Sequence, residues 1–98
     1  MKRFWSTYVS SSSVILPGKM DKELFHKLIG ISGIHSQKVV QALEDYCVNG
    51  YDRKQACDRN NVSYSYFSVS LKKLQLLNKS VIDIIPYYMR FLTSSAED

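Results

Sequence analysis

Six basic side chains stand within one stretch of this sequence: Arg53, Lys54, Arg59, Lys72, Lys73 and Lys79. Only two acids, Asp52 and Asp58, share that stretch, which leaves it at +4. The rest of the chain carries seven basic and seven acidic groups and sums to zero, so the whole formal charge of +4 sits here. A polyanion such as DNA meets that field first. A merely solvated helical face would carry Lys and Arg without segregating them in this way.

The residues that could support catalysis form no constellation. His26 and His35 are nine apart and off one helical face, so they make no metal pair and read as polar residues with ordinary partners. Ser36 beside His35 is a helix cap, with no nucleophile elbow and no orienting acid. Glu44 and Asp45 are adjacent and point in different directions on a helix. There is no glycine-rich phosphate loop. Cys47 and Cys57 are ten apart, which is not zinc spacing, and both fall at apolar helix positions as small buried hydrophobes. The expectation is a non-enzyme with no metal, cofactor or small-molecule ligand.

The element that must position the basic residues runs from Tyr51 to Asn78 and reads as a short helix, a tight turn and a longer helix. Asp52 caps the first helix. Asn60-Asn61 is the turn, because Asn tolerates the left-handed backbone region. Ser63 caps the second helix. Phe67, Leu71, Leu74 and Asn78 then share one face, with Ser65, Val69, Lys72 and Lys73 nearly opposite. Small Ala56 and Cys57 let the helices cross closely. In this helix-turn-helix arrangement a second helix enters the DNA major groove. Tyr64 and Tyr66, at its start, have hydroxyls suited to phosphate or base edges, beside the alternative of simple packing.

The rest of the chain is read around that motif. At 98 residues, 45% hydrophobic and 22% charged, it is one globular domain with a thin core. The fold class is all-α, a small helical bundle containing a helix-turn-helix. An N-terminal arm over 1–16, partly flexible, precedes a helical domain over 17–92 and a frayed polar tail over 93–98. Phe4, Trp5 and Tyr8 in the arm either pack on the domain or on a partner subunit, or fray. A first helix is expected over about Lys19 to Gly30, with a stripe of Met20, Leu24, Phe25, Leu28 and Ile31 and a connector to Ile34. A second runs from a Ser36 cap to Val48 and buries Val39, Val40, Leu43, Tyr46 and Cys47. Asn49-Gly50 stops it. Pro86 ends or kinks a helix in the apolar segment that follows Asn78. No apolar run reaches the ~20 residues of a membrane span, and serines break any secretion signal near the start, so a cytoplasmic location is expected.

Several short motifs stand in order: Leu16-Pro17-Gly18-x-Met20, Phe25-x-x-Leu28-Ile29-x-Ile31-Ser32-x-Ile34-His35-Ser36-x-Lys38-Val39, Arg53-Lys54-x-x-Cys57, Tyr66-Phe67-Ser68, Leu71-x-x-Leu74 and Pro86-Tyr87-Tyr88. Over about residues 15 to 90 the chain resembles the PapB-type regulators of adhesin and fimbrial biosynthesis in enteric bacteria. Ser65 stands where that pattern often has Gly. The resemblance implies a small helical protein that controls a fimbrial operon and binds promoter DNA as an oligomer. It implies phosphate contacts at Arg53 and Lys54, a helix-crossing role for Cys57 and a place in the recognition helix for Tyr66 and Ser68. Charge and helical phase add Arg59, Tyr64, Ser65, Lys72 and Lys73 as DNA-binding candidates. The expected partners are double-stranded promoter DNA and a second copy of the chain. The apolar segment from Val81 to Leu92 either pairs with that copy or bends at Pro86 to cover its own core. A competing function is a small helical adaptor acting on another regulator, for which Val69 and Leu76, apolar on a polar side, speak most strongly.

Overall fold

A computed structural model of the chain describes residues 14–97, with side chains to Ser94. The expectations for Phe4, Trp5 and Tyr8 lie outside those residues. Among the described residues four α-helices follow in order: α1 Lys22–Ser32, α2 Gln37–Cys47, α3 Arg53–Asn60 and α4 Tyr64–Glu97. There is no strand among the described residues, and the all-α class expected from the sequence holds. No described helix is long and apolar enough to cross a membrane.

Helix α1 begins and ends later than its sequence pattern suggests. Asp21 Oδ2 accepts from the Leu24 N–H at 3.1 Å, which makes Asp21 the cap. Residues before it form a non-helical entry with a turn at Pro17-Gly18. Gly18 N–H donates to the Tyr46 carbonyl and Met20 N–H to the Cys47 carbonyl, so the entry is tied to the end of α2. At the other end Gly33, not Gly30, takes the left-handed conformation that closes the helix, with φ 79°. Its buried face is also narrower than expected. Phe25 and Leu28 are enclosed, whereas Leu24 and Ile31 face outward. Helix α2 matches its reading except at Val40, which is only half-buried. The Ser36 hydroxyl accepts from Val39 N–H at 3.4 Å, and Val39, Leu43, Tyr46 and Cys47 are buried.

The largest departure is α4. The helix end that Pro86 suggests does not occur there, and one helix runs from Tyr64 through Pro86 to Glu97. Between Asn78 and Pro86 there is no glycine, and Lys79 Nζ pairs with Asp83 Oδ2 at 3.0 Å one turn on. Pro86 has no N–H to reach the Ile82 carbonyl, and its ring crowds that carbonyl. The helix nevertheless continues on both sides. At about 1.5 Å per residue the helix is about 50 Å long. Its first half is core and its second half is not. Phe67, Leu71, Leu74 and Asn78 are buried, while Ile84, Ile85, Tyr87, Tyr88, Met89, Phe91 and Leu92 are all exposed. The segment therefore does not bend back over its own core.

The core lies where α1, α2 and α3 meet the first half of α4. Phe25, Leu43, Phe67 and Leu74 are completely enclosed. Tyr46 meets Phe67 edge-on, with ring centroids 5.8 Å apart, a favoured aromatic geometry. Ile15 joins this core, donating its N–H to Gln75 Oε1 at 3.1 Å. Gly18 and Gly50 touch backbone to backbone, so a Cβ at Gly18 would stand 3.1 Å from the Gly50 Cα.

Phe67→Ala is expected to lower stability by about 3–5 kcal/mol, the usual cost of emptying an enclosed phenyl site. Urea melts followed by helical ellipticity measure it. A variant that melts with the wild type would mean that this ring is not what seats α4.

Candidate nucleic-acid interface

Helix α3 and the start of α4 are joined by three residues, Asn61 to Ser63. Asn61 adopts the left-handed conformation expected of the turn, with φ 55° and ψ 48°. The entry to α3 carries a full capping box. Asp52 Oδ1 accepts from Gln55 N–H at 2.8 Å, and Gln55 Oε1 accepts from Asp52 N–H at 3.0 Å. Asp52 was legible as a cap. Gln55, three residues on, completes a pattern that the sequence also contains. Ser63 Oγ accepts from Tyr66 N–H at 3.2 Å and starts α4.

With Phe67 inward, the opposite strip of α4 reads Ser65, Val69, Lys72, Leu76 and Lys79, every one exposed. Tyr64 and Tyr66 flank its start and are also exposed. Ser68 is half-buried. Lys72 lies beside Val14, Gln75, Leu76 and Lys79 around a shallow hollow. Lys73 turns the other way and brings its Nζ beside Gly33, the end of α1. There its charge faces the partial negative end of that helix. The two lysines therefore leave α4 on different sides.

On α3, Arg53 and Lys54 are exposed at the first turn. The Arg53 guanidinium carbon stands 5.9 Å from the centre of the Tyr46 ring. Arg59, in the last turn, is engaged more closely. Its guanidinium carbon is 4.2 Å over the Tyr51 ring, and its Nε–H donates to Asp45 Oδ2 at 3.4 Å. Ala56 and Cys57 are buried beneath, at the crossing.

Asp45, no catalytic partner for Glu44, has a structural role that the sequence does not announce. It is 3% exposed and gathers donors from two helices and a loop. Asn49 Nδ2 donates to Oδ1 at 2.9 Å, and Gln41 Nε2 at 3.5 Å. Asn60 Nδ2 donates to Oδ2 at 2.9 Å and also to the Ala56 carbonyl at 2.8 Å. The Asp45 carbonyl takes the Tyr51 N–H at 3.0 Å. Burial pushes this carboxyl up, but the bonds from Asn60, Asn49 and Arg59 outweigh it and hold the carboxyl below its ordinary range. The sequence offered only faint signals: an acid beside a buried Tyr-Cys pair, and asparagines at both helix ends.

The residues weighed for chemistry are accounted for. His26 Nε2 is 3.7 Å from Glu44 Oε2, with Lys22 Nζ at 4.0 Å. No group of three metal-ligating side chains occurs among the described residues. Cys47 and Cys57 are free and buried. Burial pushes the Cys47 thiol up to about 12, and burial, then the neighbouring Asp58, raises Cys57. Both thiols are inert at neutral pH.

Fold and site define a small all-helical protein whose basic charge is carried by a short helix, a turn and the exposed start of a long helix. The chain matches the family model described as PapB, adhesin biosynthesis transcription regulatory protein, over residues 2–88. It is 45% identical over 76 residues to the major pilus subunit operon regulatory protein PapB of Escherichia coli, covering 78% of this chain and 73% of that one. It is 41% identical over 75 residues to the AFA-III adhesin operon regulatory protein of Escherichia coli, covering 76% and 74%. The crystal structure of Escherichia coli FocB superposes with a TM-score of 0.74 at 38% identity, covering 90% of this chain and 99% of that one. The chain therefore belongs to the PapB family of adhesin biosynthesis transcription regulators. The family is one of regulators, not enzymes.

The Asp45 carboxyl titrates lower folded than unfolded. Its stabilising contribution is thus complete above the unfolded value of about 4 and is lost as pH falls through the lower folded value. Asp45→Asn is expected to cost about 1.5–3 kcal/mol at pH 7, the scale of hydrogen bonds to a charged group. The gap from wild type should narrow below about pH 4. Urea melts in steps from pH 7 to pH 3 measure both quantities. A gap that stays constant over that range would show that the carboxylate's charge contributes nothing.

Proposed function

We propose that this protein regulates a fimbrial or adhesin operon by binding double-stranded promoter DNA as an oligomer, through the helix-turn-helix of α3 and the start of α4. The observation that carries the reading is the match between charge and exposure. The segment holding the entire net charge presents all six of its basic side chains outward, with Tyr64, Ser65 and Tyr66, while Phe67 and Leu71 turn inward. Arg53 and Lys54 are the phosphate anchors, contacts that fix register without carrying sequence information. Tyr64, Ser65, Tyr66 and Ser68 are the candidates for reading base edges. Lys72, Lys73 and Arg59 add to the field that draws DNA in. Such a regulator acts in the cytoplasm, where the promoter is. That relatives of this chain are named as operon regulatory proteins supports the same reading.

Self-association is supported by the second half of α4. Seven large apolar side chains between Ile84 and Leu92 are exposed there, and no single helical stripe contains them. A second copy is a cover with matching chemistry. The adaptor reading keeps one observation in its favour: Val69 and Leu76 are 67% and 58% exposed on the strip opposite the core. An electrophoretic shift with promoter DNA beside scrambled competitor, at fixed salt, separates the two. An adaptor would shift neither.

Affinity is expected to fall with salt at a log–log slope of roughly −3 to −4 per subunit, for about four phosphate contacts. A flat response would remove the electrostatic basis. Arg53→Ala and Lys54→Ala are expected to weaken promoter and random duplex alike. Loss confined to promoter preference would make them base readers instead. Deleting Tyr87 to Asp98 is expected to lower the sedimentation coefficient beyond the lost mass. A folded truncation with the full-length oligomeric state would exclude this arm as an interface.

A further inference from the structure

Among the basic side chains of the motif, Arg59 stands apart. It alone is held both by a carboxylate and by a ring. One face of its guanidinium lies over Tyr51 at 4.2 Å. Its Nε–H is taken by Asp45 Oδ2 at 3.4 Å. Its side chain is nevertheless 52% exposed. Among the described residues, the four terminal N–H groups find no protein acceptor. Lys79, by contrast, pairs with Asp83 within its own helix, and Arg53 has a ring only at the 5.9 Å margin of such contacts.

We propose that Asp45 and Tyr51 are positioning residues that hold the Arg59 guanidinium as a preset clamp for a DNA phosphate, an inference that rests on the DNA-binding function above. A free arginine must give up its rotamer freedom when it grips a phosphate. Here the ring and the carboxylate have already fixed the plane, and the terminal N–H pair is the part left over. That pair is the planar fork that suits two phosphate oxygens. The place is apt as well. Arg59 lies in the last turn of α3, two residues before the turn at Asn61, and that turn leads into exposed Tyr64. A phosphate held there would fix the register of the start of α4 on a duplex.

The chemistry behind the clamp does not depend on Arg59. Asn49 and Asn60 each donate to Asp45 at 2.9 Å, shorter than the 3.4 Å arginine bond. Removing the guanidinium therefore leaves the buried carboxylate with two good partners. The arginine is the outermost member of the hub and can be changed with the hub intact.

The test is fluorescence anisotropy on a random 20-base-pair duplex over a salt series, with the full chain and thermal melts as the folding control. Arg59→Gln is expected to weaken binding and to lower the salt slope by about one. Arg59→Lys keeps the charge but not the plane, and is expected to bind as weakly as Arg59→Gln. Tyr51→Leu is expected to weaken binding about two- to fivefold, the range of an exposed cation–ring contact. The same change in the Arg59→Gln background should do nothing, and Tyr51→Phe should bind as wild type. A purely structural Tyr51 would weaken binding equally in both backgrounds and overturn the proposal. So would Arg59→Gln with unchanged affinity and slope. If Tyr51→Leu does not fold, the lysine variant decides, since wild-type binding by Arg59→Lys overturns the clamp. A wild-type protein that binds no duplex, promoter included, removes the DNA-binding function itself, and that result is distinct from these.

Discussion

The phase of α4 is set by one ring. Phe67 is fully enclosed and meets Tyr46 edge-on at 5.8 Å, so α4 cannot roll without breaking that contact and lifting Leu71 and Leu74 out of the core. Every outward-facing residue of α4 follows from it. Ser65, Val69 and Lys72 are exposed because Phe67, Leu71 and Leu74 are not. The same Tyr46 ring stands 5.9 Å from Arg53 and closes over Ile15, whose carbonyl accepts from its hydroxyl at 3.5 Å. The segment before α1, α2, α3 and α4 thus meet around one aromatic pair. Packing energy and functional orientation come from the same contact.

Helix α3 is attached by other means. Its eight residues bury only Ala56 and Cys57, too little apolar area to fix a helix alone. Polar bonds supply the remainder. The capping box holds its first turn, and Asn60, bonded to Asp45 across to α2, holds its last. Small residues at the crossing allow close approach to α4, and the polar ends define the angle. A helix anchored at its ends keeps its flank free for charge, which is why Arg53 and Lys54 stay exposed. No buried side-chain nitrogen or oxygen among the described residues is left without a partner. The buried carboxylate is therefore a completed network and not a source of strain.

The long helix links two tasks that usually belong to separate elements. Its first half is seated by the core and presents the side chains proposed to read DNA. Its second half has no core beneath it. A helix of this length gains little from propensity alone, and most helical stability comes from packing. An exposed apolar arm therefore calls for a cover, and a symmetric pairing of arms would place two basic motifs at a separation set by the helix itself.

The sequence by itself determined the local structure and the location of the charge. Asp52, Asn61 and Ser63 stand where helix ends need them, because capping depends on a few neighbouring residues and is written in one dimension. The spacing of Phe67, Leu71, Leu74 and Asn78 gave the buried face of α4 for the same reason. Leu16-Pro17-Gly18 and Tyr66-Phe67-Ser68 marked the family before any geometry was known. Only the tertiary structure decided the rest. Pro86 reads locally as a break, yet the helix runs on through it to Glu97, because the cost of one proline is local. Leu24 and Ile31 fit an apolar stripe, yet α1 has too narrow a contact with its neighbours to cover them. Lys72 and Lys73 look like a pair, yet the rotation of about 100° between adjacent helical positions sends one to the strip opposite the core and the other to the end of α1. Asp45, Tyr51, Arg59 and Asn60 lie up to 15 positions apart, on two helices and a loop. Nothing in their spacing makes them neighbours, and the packing of α3 on α2 does.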